Sequence, residues 1–189
     1  MVAIDRPLES RNSSVTCDNY EASLAATKHL IAHGKKRILC FGGDPDLSTI
    51  RERTRGYSDA VAQASLPAEH LLAADVNSLI EKLREILRRP RAKGPDAIFG
   101  LLNAASIIAY EQLTSLGVAI PESVAIISFD DFPLSSTLRP AVTVIRQPVT
   151  AMGRAAVNLL FEQIESGVTT PHNIILSTEF IARSSCGCH

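Results

Sequence analysis

Val124 to Pro148 reads VAIISFDDFPLSSTLRPAVTVIRQP. It opens on an unbroken apolar run, Val124-Ala125-Ile126-Ile127. That run is too short for a helix and β-branched enough for a buried strand. It stops at a carboxylate pair, Asp130 and Asp131, and a loop with two prolines leads to a second short strand, Val142 to Ile145. The second strand ends in Arg146, Gln147 and Pro148. Two strands that each finish in hydrogen-bonding side chains are what a ligand crevice at the carboxyl edge of a sheet requires.

The same pattern recurs on both sides of this stretch. Val2-Ala3-Ile4 closes at Asp5, Arg6 and Pro7, and a polar link from Leu8 to Ser14 leads to Val15-Thr16-Cys17. Asp18 is placed to cap a helix, with Glu21 completing a capping-box pattern. That helix is expected to bury Tyr20, Leu24, Thr27 and Ile31, with Leu30 beside them, and to stop at Gly34. Ile38 to Phe41 is a buried strand followed by Gly42-Gly43-Asp44, which lacks the later glycines of a dinucleotide fingerprint. Further helices are expected from Ser48, from Asn77 to Arg88, and after Asn103, the last packing through Leu113 and Leu116. The cleanest amphipathic stripe follows Pro148: Met152, Ala155, Ala156, Leu159, Leu160 and Ile164. Ile174 to Leu176 and Phe180 to Ala182 close the chain as short strands.

Strand and helix therefore alternate through most of the length, which predicts an α/β fold with a doubly wound, mainly parallel sheet and flanking helices. Right-handed crossovers bring the strands' carboxyl ends to one edge. Asp5, Asp44, Asp75, Asn103, Asp130 and Gln147 are expected along it, near Arg51, Arg53 and Arg55.

The 189 residues are 46% hydrophobic and 21% charged, enough to bury a core. A net charge of −1 gives no long-range pull towards nucleic acid or an anionic membrane. The basic segment Arg84 to Lys93 has no interleaved aromatics and reads as a solvated helix end. No apolar run approaches a bilayer span, and MVAIDRPLES is not a signal peptide, so a cytoplasmic protein without membrane contact is expected. Cys40 reads as a core residue. The terminal Cys186-Gly187-Cys188-His189 carries zinc-type ligands, but with no second ligand pair it is expected to fray. His29 and His33 read as helix-surface residues. Neither a metal nor a cofactor is expected.

Catalysis fits poorly. Asp130 and Asp131 are adjacent on one strand end, point to opposite faces and cannot flank one bond. Ser128 lacks the G-x-S-x-G elbow. Carboxylates, an amide and a planar guanidinium instead suit a ligand with many hydroxyls, such as a sugar or nucleoside.

Several pieces, in order and at matching spacing, resemble the sensor domain of the LacI/GalR transcription regulators, which share the periplasmic binding protein-like type I fold. They are AIDRP at Ala3 to Pro7, Asp18-Asn19, KHLIAHGKKRILCFGG at Lys28 to Gly43 and LSTIRERTRGY at Leu47 to Tyr57. Later come GPDAIFGLLN at Gly94 to Asn103, LGVAIPESVAIISFDD at Leu116 to Asp131 and TVIRQPVTAMGRAAVNLL at Thr143 to Leu160. The resemblance implies a bilobed domain that closes around a small-molecule effector and signals to a DNA-binding head, without enzymatic activity. It places Asp5, Arg53, Asn103 and Asp130 at the effector, with Thr49 and Gln147 nearby. Substituting Arg53 or Asp130 by alanine is expected to abolish binding with little loss of fold.

Where many members read Asn-Asp, this chain has Asn103-Ala104, and Val76 stands in the region where several place a stacking aromatic. The pattern begins part-way through the family's, without the helix-turn-helix head. Residues 1–17 then correspond to a remnant of the first lobe, 18–146 to the second lobe, 147–177 to a crossover back to the first, and 178–189 to a final strand and tail. Contact with DNA would run only through a head outside this chain. Members are usually homodimers, and Ile108 and Leu138 are the expected subunit contacts. The alternative is a sugar-binding module of a transporter.

Overall fold

The computed structural model describes residues 1–7, 12–167 and 170–188. Among them two sheets form, joined by three chain crossings. The smaller takes β1 (Val2–Ile4), β2 (Ser13–Cys17) and β8 (Asn173–Leu176), all parallel, with β2 in the middle. The larger has the order β4-β3-β5-β6-β7-β9, where β3 is Ile38–Phe41, β4 Glu69–Leu71, β5 Ala97–Gly100, β6 Ala125–Phe129, β7 Thr143–Arg146 and β9 Glu179–Ile181. All its pairings are parallel except that of β7 with β9. The mainly parallel doubly wound arrangement is as expected, divided between two sheets.

The central strands ILCF, AIFG and AIISF are buried at every position. Helices on both faces require such continuous apolar strands. Residues of α1 (Asn19–Ala32) and α2 (Ser48–Gln63) join one core cluster, those of α3 (Val76–Leu87) and α4 (Asn103–Ser115) the other. α5 (Val149–Ser166) packs on β1, β2 and β8 through Met152, Ala156 and Leu159. Its Leu160 and Ile164 are exposed, with Val157 and Phe161, because a three-stranded sheet covers only part of the expected stripe.

Local expectations fail where tertiary contacts intervene. Asp18 caps no amide of α1; its carboxylate accepts from Thr178 N at 2.8 Å, tying two crossings together. The buried stripe of α1 is Asn19, Ser23, Ala26, Thr27 and Leu30, whereas Tyr20, Leu24 and Ile31 are only half-buried. The cause is Gly56 of α2: a Cβ there would strike Tyr20 O and come within 2.9 Å of Leu24 N. The two helices thus meet along a seam of small residues rather than on a leucine face. Leu116 lies just beyond α4 and is exposed, not packed.

The terminal segment through Cys186 does not fray. Ser185 N donates to Ala141 O and Ser185 Oγ donates to Ile126 O, at 2.9 and 2.7 Å, and Cys186 is fully buried. Leu8 to Arg11 of the polar link, and His189, lie outside the described residues.

Candidate functional site

The carboxyl ends of β1 and β2 face the N-termini of α1 and α2 across a cavity of about 360 Å³. Asp5, Thr16, Asp18, Tyr20, Thr49 and Glu52 are among its walls. A second, of about 720 Å³, lies at the ends of β6 and β7, with Asn103, Asp130, Asp131, Gln147 and Thr150 in its wall. Of the expected ligand residues, Asp5 and Thr49 thus share one cavity, and Asn103, Asp130 and Gln147 share the other.

Arg53 lines neither. It is 3% exposed and lies buried between them, touching Asn19 in the wall of the first and Asp130 in the wall of the second. Its Nε donates to Asn19 Oδ1 and its Nη1 to the Leu101 carbonyl, each at 2.7 Å. The guanidinium lies 3.6 Å from the centroid of the Phe129 ring, and Nη1 is 3.5 Å from Asp130 Oδ2. Burial pushes the pKa of Arg53 down, while the charges of Asp130, Cys17 and Asp5 act against that shift. Both carboxylates therefore sense the same cation. The expectation that Arg53→Ala spares the fold is not met by this geometry: alanine would strand Asn19 and a buried carbonyl, at about 1–3 kcal/mol for each group left unpaired.

Asp5 and Asp130 share an uncommon backbone. Each stands immediately after a strand with positive φ, 68° and 73°. Asp tolerates this region better than most residues, and such strain is held at sites where a side chain must be aimed. Gln147 Nε2 donates to Asp130 Oδ1 at 2.6 Å. Asp5 Oδ1 is buried and has no hydrogen-bond partner among the described residues. An unpaired buried oxygen costs about 1–3 kcal/mol, so it marks a place where a donor belongs.

Asn103 is the first residue of α4, exposed, and its Oδ1 accepts from Ala104 N, so it does not act as the helix cap. Asp75 caps α3, and Asp44 accepts from Asp46 N in a turn. Val76 is half exposed and lines neither cavity, whereas Tyr20, with Arg55 stacked 4.4 Å from its ring centroid, supplies an aromatic wall to the first. Sequence reasoning missed Asn19, Tyr20, Glu52 and Phe129. The available signal was Asn19, which stands in the first turn of α1 and belongs to the Asp18-Asn19 piece of the resemblance.

The cavities offer little for covalent chemistry. No histidine is among the described residues that line them. The Cys17 thiol is pushed up to about 12, mainly by burial with Arg53 acting against it, and so stays protonated.

Residues 27–186 match the model of the periplasmic binding protein-like domain. The chain belongs to this family, in its LacI-type branch. It is 31% identical over 190 residues to the HTH-type transcriptional repressor PurR of Aliivibrio fischeri, covering 98% of this chain and 56% of that protein. It is also 31% identical over 187 residues to the HTH-type transcriptional regulator CelR of Thermobifida fusca, covering 95% and 54%. This LacI-type chain therefore spans about half the length of the curated relatives it matches. The CelR–cellobiose complex superimposes with a TM-score of 0.85 at 30% identity, covering 97% of this chain and 58% of that one. A putative ribose operon repressor from Burkholderia thailandensis gives 0.83 at 30%, covering 95% and 67%.

Ile108 and Leu138 are half-buried against the second core cluster of the LacI-type domain. Their neighbours Ile107 and Leu134 are the ones that reach solvent, at 37% and 62% exposure.

Proposed function

We propose that the chain is the effector-binding portion of a LacI-type transcriptional regulator, taking a sugar or nucleoside in the cleft between its two sheets. In this reading residues 1–17 and 147–177 belong to one lobe and 18–146 to the other, with 178–189 as the closing strand and tail. The effector bridges Asp5 and Gln147 on the first lobe and Asp130 on the second, next to the buried Arg53 that both carboxylates face. Thr49 and Asn103 add hydroxyl and amide contacts from the two sides. Bridging favours the closed arrangement, and closure is read by a DNA-binding head on another segment of the protein. Such a regulator acts in the cytoplasm as a homodimer.

The observation that carries this reading is the pair of carboxylates, Asp5 and Asp130, set just after strand ends and both facing one buried guanidinium, Asp5 with an oxygen that has no donor among the described residues. Paired carboxylates accept from vicinal hydroxyls, and the preformed geometry lowers the cost of ordering the site on binding. Relatives named as helix-turn-helix regulators, one of them solved with cellobiose, support a regulator over a transporter module. The same names, and the protonated Cys17, support binding without catalysis.

Titration calorimetry with D-ribose, cellobiose and a purine nucleoside tests the reading. At least one is expected to bind, and Asp130→Asn, which keeps the backbone preference, should weaken that ligand at least 30-fold with little change in melting temperature. Wild-type affinity in Asp130→Asn, or no binding by any of the three, would reject this site.

A further inference from the structure

Away from the cleft, at the far end of α1, four potential metal ligands from opposite ends of the sequence converge. His29 and His33 are one turn apart, so their rings share a face of the helix. Cys188 Sγ lies 3.1 Å from His29 Nε2 and 3.4 Å from His33 Nε2. The three ligand atoms all lie within 4.8 Å of one another. Cys186 Sγ is 2.9 Å from Cys188 Sγ.

The orientation of the rings points the same way as the distances. His33 Nδ1 is 2.9 Å from the His29 carbonyl oxygen. A carbonyl only accepts, so Nδ1 is the donor there and Nε2 is the ring nitrogen turned towards Cys188. A backbone carbonyl holding the other nitrogen is the usual support for a metal-bound histidine. The ring of Phe180 packs 4.8 Å from that of His29 and restricts its rotation. Cys188 is carried by a segment that Ser185 anchors to Ile126 of β6 and Thr143 of β7, so the thiol is delivered to the histidines by a fixed backbone.

We propose that His29, His33 and Cys188 bind a borderline-soft divalent ion of the zinc class, with Cys186 the nearest group for a fourth position. Bond lengths of about 2.0–2.1 Å to nitrogen and 2.3 Å to sulfur put neighbouring ligands of a tetrahedral zinc about 3.3–3.8 Å apart. The two His–Cys separations lie within about 0.5 Å of that spacing, while Cys186 would have to draw back from Cys188 by about 0.9 Å. Binding deprotonates Cys188 and releases its proton to solvent. The ion would staple the chain's last residues to the same helix whose first turn holds Asn19 beside Arg53.

The test uses the chain reduced with a phosphine and stripped of metal, then titrated with Zn2+ against a chromophoric chelator. One ion per chain at sub-micromolar Kd is expected. Cobalt substitution should give tetrahedral d–d bands and a sulfur charge-transfer band. His33 is exposed, so His33→Ala should fold normally, and it should weaken binding at least 30-fold. Cys188→Ser should do the same and lose the charge-transfer band, while His70→Ala, at a distant exposed histidine, should change nothing. A 100-fold excess of Zn2+ over Kd should raise Tm by about 5–10 °C in the parent chain and in His70→Ala, and not in His33→Ala or Cys188→Ser. Binding weaker than about 100 µM, or equal in the His33→Ala and Cys188→Ser variants, would overturn the proposal.

Discussion

Asp130 and Asp131 are neighbours with the same side chain, and their surroundings give them different work. Asp130 faces a cavity, with one hydrogen bond from Gln147 and the Arg53 guanidinium 3.5 Å away. Asp131 accepts from Ser135 Oγ and Phe132 N and pairs with Arg146 and Arg183 at 2.7 and 3.3 Å. Burial alone would raise the pKa of Asp131, but the bonds from Ser135, Arg146 and Arg183 outweigh it and hold the carboxyl well below the usual range. A folded-state pKa below the unfolded value of about 3.9 gives stability that is present above it and lost as pH falls towards the folded value. Asp131→Asn should therefore cost about 1–3 kcal/mol at pH 7, by loss of a charge-assisted network. The gap between parent and variant in urea midpoints should hold from pH 7 to about pH 5 and narrow below about pH 4. A gap that persists unchanged at pH 2.5 would assign the effect to packing instead. The sequence showed the Asp pair but could not rank it, because the arginine at 183 that secures Asp131 is 52 residues away.

Strands β3, β5 and β6 were legible from sequence because burial on both faces leaves no room for polar residues in ILCF, AIFG and AIISF. The buried face of α1 was not. Apolar spacing pointed to Tyr20, Leu24 and Ile31, but α1 turns its small residues inward to meet Gly56. Close helix approach through glycine leaves no hydrophobic trace on the partner helix. Gly56→Ala separates two opposing expectations. Helix propensity alone favours alanine by about 1 kcal/mol. The added methyl, however, meets the backbone of α1, which cannot rotate aside as a side chain would, and overpacking of this kind costs about 1–3 kcal/mol. The clash should win: a net loss of stability in urea, with weaker effector binding because Asn19 and Thr49 ride on the displaced helix ends. A more stable Gly56→Ala would show that the seam is loose. The convergence of His29 with Cys188 was equally hidden, since 159 residues separate them.

At the scale of the molecule, two apolar surfaces compete to explain any self-association. One is the face around Ile108 and Leu138, from which Ile107 and Leu134 project; Tyr110 Oη donates to Arg139 O at 2.8 Å and joins helix to loop there. The other is the outer side of α5, with Val157, Leu160, Phe161 and Ile164 exposed. The homodimer proposed above uses the first. Sedimentation equilibrium should find a dimer that Ile107→Asp dissociates and Phe161→Asp leaves intact; the reverse result would assign the contact to α5. The link between the two sheets, finally, is redundant. The chain passes between them at Cys17–Asn19, Arg146–Val149 and Leu176–Glu179. Asp18 N donates to Leu176 O, and Arg146 pairs with Glu179, so the three passages lie side by side as one ribbon. A ribbon three chains wide bends across its flat side far more easily than it shears or twists. No single backbone cut frees one sheet from the other, and the two halves keep one axis along which to open.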